Sequence, residues 1–255
     1  MSDFNPFTLE GKRILVTGAS SGIGKATAIM CSKMGASVIA TGRNEERLQE
    51  TLSMMEGDLN SLFIADISSK EGMTSLVDFV KGNEFKLDGV VHCAGISGHK
   101  VFQYLKEEEI EEMFNINFMT PLYLTRDLLK KKLINKNSSI VFITSTSGII
   151  SSYIGGALYS STKGALNGLI KNLAIELAPK NIRVNSVMPS MISTPIMDGG
   201  QLADEQFEED KKRYPLKRYG KPEEVACGVV YLLSEASAWT TGTNLLIDGG
   251  RSVLY

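Results

Sequence analysis

Cysteine is scarce in this chain of 255 residues: Cys31, Cys93 and Cys227 stand far apart and are odd in number. That is no disulfide framework, and it fits a reducing compartment. Histidine is scarcer still. Neither His92 nor His99 has neighbours at metal-ligand spacing, so no metal site is expected. An excess of either charge is also missing, since 27 basic and 29 acidic side chains leave a formal charge of −2. Such a balance offers little to a nucleic-acid backbone. No uninterrupted apolar run reaches the roughly 20 residues that a bilayer span requires. Met1 to Glu10 has neither the basic nor the apolar part of a secretory signal. The expectation is a cytoplasmic protein with no membrane and no nucleic acid as partner. Low-complexity linkers and composition breaks are absent as well, so residues 1–255 are read as one domain, large enough to bury a core without staples.

What is present is a repeating alternation of apolar runs and helix-length spacers. The runs are Arg13 to Thr17, Ser37 to Thr41, Ser61 to Ala65, Gly89 to His92, Ser139 to Thr144, Ile182 to Val187 and Asn244 to Ile247. Most are continuously apolar, as strands covered on both faces are. Gly35 stands where a first helix would end, and Pro222-Glu223-Glu224 opens a late one. The fold class expected is α/β, a doubly wound sheet of about seven parallel strands with helices on both faces. The least regular stretch, 189–212, is polar and Gly-rich, with Gly199-Gly200 at its centre. It is expected to be a lid over the site, with Met191, Ile192, Ile196 and Met197 facing inward and a short exposed helix from Asp204 to Lys212.

Between the first strand and the first helix lies Thr17-Gly18-Ala19-Ser20-Ser21-Gly22-Ile23-Gly24. Glycines there let the backbone turn sharply and approach a pyrophosphate, which the free N–H groups of the helix start then bind. The spacing is G-x-x-x-G-x-G. Lys25 follows the last glycine, but Ala26 stands where a nucleoside-triphosphatase loop needs a hydroxyl for magnesium, which disfavours that alternative.

Together with the motifs downstream of it, this turn resembles the short-chain dehydrogenase/reductase family, and the resemblance runs from about Leu9 to Gly250. It is carried in order by the glycine turn, Asp66-Ile67, His92-Cys93-Ala94-Gly95, Asn117, Ser145 with Gly148, the YxxxK element Tyr159-Ser160-Ser161-Thr162-Lys163, Pro189 to Thr194, and Asp248-Gly249-Gly250. The branch most resembled contains the β-ketoacyl carrier-protein reductases. The resemblance implies a Rossmann-like fold and a catalytic set of Asn117, Ser145, Tyr159 and Lys163. It implies a nicotinamide site built from Gly18, Ser20, Ser21, Gly22, Ile23, Gly24, Arg43, Asp66, Ile67, Cys93, Ala94, Gly95, Tyr159, Lys163, Pro189, Ser190, Ile192 and Thr194. Two departures stand out. His92-Cys93 replaces the family's Asn-Asn, and Ser190 replaces a glycine after Pro189. Both bear on cofactor geometry, and the simplest reading of His92 and Cys93 is as packing substitutes at a strand end.

The chemistry follows from the residue types. Lys163 stands one helical turn beyond Tyr159, so the two share a face. A phenol ionises near pH 10, and an ammonium beside it favours phenolate. Tyr159 would donate a proton to a carbonyl oxygen in reduction and accept one in oxidation, while Ser145 orients that oxygen. By resemblance, Lys163 also holds the nicotinamide ribose and Asn117 holds a relay water. A different class of function, a non-catalytic dinucleotide sensor or scaffold, would not need all four residues.

The second strand ends Thr41-Gly42-Arg43-Asn44. Gly42 stands where an acid would bind the ribose hydroxyls of NAD, and Arg43 can meet a 2′-phosphate. NADP(H) is therefore expected over NAD(H), although Arg43 could instead pair with Glu46 on the next helix. The leading substrate is a carrier-protein thioester carbonyl, with a small alcohol, sugar or steroid-like compound as the alternative. Lys130, Lys131, Lys132, Lys136 and Lys180 could form the basic docking surface, or Lys130 to Lys132 could simply complement a helix dipole. Apolar residues continue to the end of the chain, Val253-Leu254-Tyr255, so that tail is expected to be packed. The resemblance implies a homotetramer.

Overall fold

The computed structural model describes residues 5–83, 85–194 and 204–254. Strands β1 (Arg13–Thr17), β2 (Ser37–Gly42), β3 (Ser61–Ile64), β4 (Leu87–His92), β5 (Ile134–Ile143), β6 (Arg183–Pro189) and β7 (Asn244–Ile247) form one sheet. Its spatial order is β3-β2-β1-β4-β5-β6-β7, and every neighbouring pair is parallel. The helices are α1 (Gly22–Lys33), α2 (Glu45–Ser53), α3 (Lys70–Gly82), α4 (Glu107–Phe114), α5 (Thr120–Lys130), α6 (Ala157–Leu177), α7 (Asp204–Lys211) and α8 (Pro222–Leu233).

Strand residues alternate between two cores. Leu15 packs in one cluster with Leu76 and Val80 of α3, Leu128 of α5 and Ile170 of α6. Its neighbours Ile14 and Val16 pack in the other with Ala28 of α1 and Val225 and Val229 of α8. Burial on both faces is why these strands read as unbroken apolar runs. Gly35 takes the left-handed conformation, φ 93°, just past α1, and Pro222 is the first residue of α8. β5 starts earlier than the apolar run suggested, and the β4–β5 register shifts between Leu87 and Gly89.

The chain winds from β1 to β3 on one side and from β4 to β7 on the other. The topological switch point therefore lies between β1 and β4, where such sheets open a crevice at the strand C-termini. α7 is the short helix expected in the polar part of 189–212. Ile196, Met197 and Gly199-Gly200 of that segment lie outside the described residues. Val253 and Leu254 of the tail expected to be packed are exposed on the single chain. Among the described residues no helix is long and apolar enough to cross a membrane, and no group of three or more His, Cys, Asp or Glu is placed to hold a metal ion.

Candidate active site

At the switch point the turn after β1 and the turn after β4 almost touch. A side chain on Gly18, whose φ is 66°, would put its Cβ 2.8 Å from the Ala94 backbone. A Cβ on Gly24 would lie 2.1 Å from the Gly18 carbonyl oxygen, so only glycine lets α1 start this close to β1. Ser21 precedes α1 in extended conformation and its side chain caps none of the first-turn N–H groups. Those donors and the positive end of the helix dipole face an open cleft. Thr17 braces the floor, its hydroxyl accepting from the backbone N–H groups of Cys93 and Ala94, both at 3.1 Å.

Gly18, Ser20, Ser21, Gly22, Ile23, Gly24, Arg43, Asp66, Ile67, Cys93, Ala94, Gly95 and Thr194 all line this cleft. Gly42, Ala65, Ser68, Ile96, Ile116 and Thr120 line it too. Apart from Gly42, which the end of the second strand singled out, these carried no motif signal, because their part is to supply wall rather than recognisable chemistry. Arg43 is largely exposed, with its guanidinium 4.0 Å from Asp66 rather than paired to Glu46. Asp66 accepts from the hydroxyl and the N–H of Ser68, which, with Arg43, hold its carboxyl below the usual range. Pro189, Ser190 and Ile192 are not in the cleft wall. Pro189 is buried and its carbonyl accepts from Thr146 N–H. Ser190 turns its hydroxyl to Tyr214, 2.9 Å away, and Ile192 packs into the core, not toward a pocket.

Asn117, Ser145, Tyr159 and Lys163 do not line the cleft wall themselves; Asn117 and Lys163 lie next to its Gly95. Asn117 is buried in a π-helical turn, Asn115–Met119, inserted between α4 and α5. Such turns recur at functional sites because the extra residue re-aims a side chain. The Asn117 amide accepts from Ile96 N–H at 2.8 Å and donates to Ile96 C=O at 2.9 Å and to the Thr162 hydroxyl at 3.1 Å. It thus ties the β4 turn to α6. Lys163, one residue further along α6, is buried and donates to the Ile143 carbonyl at 2.9 Å. Ile143 ends β5; Ser145, two residues on, is buried, accepts from Ser147 N–H at 3.1 Å and lies near Tyr159. A Cβ on Gly95 would sit 3.2 Å from Asn117 Oδ1 and 3.6 Å from Lys163 Nζ. Gly95 is therefore where the phosphate cradle and the catalytic group meet.

Burial dominates the electrostatics. It pushes the Tyr159 phenol up to about 12, against the opposing hydrogen bond with Ser145. The expected lowering by Lys163 is not what prevails. The ammonium lies 5.7 Å from the Tyr159 ring centre and is directed at Ile143. Burial also lowers Lys163 itself, to about 8. His92 is a packing residue, stacked on Phe142 at 4.6 Å and hydrogen-bonded to Thr125 at 2.8 Å; burial keeps it neutral by lowering it to about 3. Cys93 is pushed up to about 12 by burial, so it is a thiol, not a nucleophile. The lysines proposed for docking sit elsewhere. Lys130, Lys131 and Lys132 precede β5, at the opposite end of that strand from Ser145, Lys136 lies early in it, and Lys131 pairs with Asp78 at 2.8 Å. Lys180 likewise precedes β6.

The chain is similar to known proteins. A family model described as enoyl-(acyl carrier protein) reductase matches residues 18–252. The 3-oxoacyl-(acyl-carrier-protein) reductase FabG of Thermotoga maritima is 35% identical over 244 residues, 95% of this chain and 98% of that protein. A short-chain dehydrogenase/reductase from Serratia marcescens superposes with a TM-score of 0.89 at 29% identity, covering 97% of this chain and all of that one. The chain belongs to the short-chain dehydrogenase/reductase family. It is an oxidoreductase acting on CH–OH and carbonyl groups, and its family binds NAD(P). Among similar short-chain dehydrogenase structures is a candidate NAD(P)-dependent gluconate 5-dehydrogenase from Beutenbergia cavernae, solved with NADP bound, with a TM-score of 0.87 and 28% identity over 98% of this chain.

Proposed function

We propose that the enzyme uses NADP(H) to reduce a carbonyl to a secondary alcohol, with Tyr159 as proton donor. The observation that carries this is the continuity at Gly95, which puts Asn117 and Lys163 beside a cleft shaped for a dinucleotide. The cleft fits such a cofactor because its glycines leave room no Cβ could share and α1 offers uncapped N–H groups. When bound, the reduced nicotinamide supplies hydride.

The chain supplies the rest. With its phenol held near 12, Tyr159 is protonated at neutral pH, the state a proton donor needs. Ser145 lies close enough to Tyr159 to favour its phenolate, so both hydroxyls can be aimed at a single oxygen, which a carbonyl provides. Tyr159 gives its proton to that oxygen and Ser145 orients it. Lys163 uses one of its three N–H donors on Ile143, leaving two for the ribose hydroxyls and for a water held beside Asn117. A non-catalytic dinucleotide sensor would not need this four-residue arrangement.

Arg43, exposed at the cleft mouth beside Gly42, favours NADP(H) over NAD(H). Arg43→Ala should raise KM for NADPH far more than for NADH, and Gly42→Asp should shift preference to NADH. Equal effects of Arg43→Ala on both cofactors would contradict that assignment. We take the substrate to be a 3-oxoacyl thioester, on the strength of the reductase from Thermotoga maritima. A homotetramer is the assembly we propose, supported by exposed apolar residues at the β7 edge of the sheet.

A further inference from the structure

Two loops leave the sheet at the adjacent strand ends of β4 and β5 and meet beside the catalytic group. The first is held at Ile96 by Asn117, and the second carries Ser145 as its second residue. They are cross-braced twice. Lys100 N–H donates to the Gly155 carbonyl at 3.0 Å, and the rings of His99 and Tyr153 stack nearly parallel, 5.9 Å apart with 10° between their planes. Glycines lie beneath both rings. A Cβ on Gly155 would come within 2.9 Å of the imidazole, and one on Gly156 within 2.6 Å of the phenol ring. Gly156 immediately precedes α6, less than one turn before Tyr159. Tyr153 is close enough to disfavour ionisation of Tyr159, yet 45% of it remains exposed. Its neighbours along the two loops, Phe102 and Ile154, are also exposed and apolar, and segment 146–156 carries no charged side chain.

We propose that the stacked His99–Tyr153 pair is the specificity-determining wall of the acceptor site. It selects substrates with an extended apolar chain next to the reacting carbonyl and disfavours polyols. The inference rests on placing that carbonyl at Ser145 and Tyr159. A flat pair of rings with apolar neighbours gains by covering methylenes, whereas it offers a polyol few of the partners its hydroxyls would lose from water.

The test uses acetoacetyl, 3-oxohexanoyl and 3-oxodecanoyl thioesters of N-acetylcysteamine with NADPH, and gluconate with NADP⁺. In the wild type kcat/KM should rise about twofold per added methylene, as half-complete burial would give, and gluconate should be oxidised poorly. In Tyr153→Ala and His99→Ala the ratio of long to short substrate should fall toward one. That ratio is internal to each variant, so any loss of folded protein cancels. A second arm titrates NADPH-loaded Tyr159→Phe with the decanoyl thioester, which has no ketone to reduce, with and without Tyr153→Ala. Binding that depends on Tyr153 without thioester turnover in the wild type would keep the wall and overturn the thioester reaction. Long-to-short ratios and binding that do not change on removing Tyr153 would overturn the wall.

Discussion

Lys163 carries the main electrostatic cost of this site. Its amine sits in the protein interior with its pKa lowered to about 8 from an ordinary 10.5. Below pH 8 both folded and unfolded chains hold the proton, and the full penalty of burying the charge weakens the fold. Between 8 and 10.5 the unfolded chain binds more protons than the folded one, so stability rises with pH as the penalty disappears. Urea unfolding of wild type and Lys163→Met should therefore diverge. The wild type should gain about 3 kcal/mol relative to the variant across that window. Parallel pH profiles would show that Lys163 is not desolvated. Tyr159 works in the opposite sense, because its raised pKa removes stability as pH climbs from 10 to 12. Residue identities were the most legible feature of this site: the resemblance named Tyr159, Lys163, Ser145 and Asn117, and spacing alone put Lys163 on the face of α6 that carries Tyr159. Their protonation was not legible. Spacing reports that Lys163 is near Tyr159, but not that burial outweighs the ammonium or that Ile143 takes one of its donors.

At the scale of elements, α1 is the part that cannot move. The Gly18 carbonyl leaves no space for a Cβ at Gly24, so Gly24→Ala must push the helix away from β1. Overpacking of this kind costs about 1–3 kcal/mol, and NADPH affinity should fall much further, because the first-turn N–H groups retreat with the helix. Chemical denaturation together with NADPH fluorescence titration separates the two effects; unchanged NADPH affinity would contradict the role assigned to this turn. The five inner strands were legible because two-sided burial writes them as apolar runs; the edge strands β3 and β7 are only partly buried and were read from short apolar runs alone. The π-helical turn at Asn117 was not, since one inserted residue leaves composition and periodicity almost unchanged. Nor were the turns of Ser190 and Ile192 away from the cleft, which depend on Tyr214 and α8, elements distant in sequence. The His99–Tyr153 stack joins residues from two loops and leaves no local trace either.

At the scale of the whole molecule, the apolar surface is uneven. Trp239, the one tryptophan of the chain, is fully exposed between α8 and β7, and Leu246, Val253 and Leu254 are exposed in or just beyond β7. In the proposed assembly the partner of this apolar tail is another subunit. Light scattering at micromolar concentration should give a homotetramer. Trp239→Asp or deletion of Val253 to Tyr255 should reduce its mass, and tryptophan emission should shift to the red as the wild type is diluted. A monomer at micromolar concentration, with emission independent of dilution, would contradict the assembly.

The claim at the centre of this account is that a protonated Tyr159 drives carbonyl reduction from NADPH. The most direct measurement follows NADPH consumption with the acetoacetyl thioester of N-acetylcysteamine, for wild type and Tyr159→Phe at matched concentrations. The variant keeps the ring and loses only the hydroxyl, so its melting temperature and NADPH affinity should stay near wild type while kcat falls about 10²–10⁴-fold. Wild-type kcat in Tyr159→Phe would contradict the assignment.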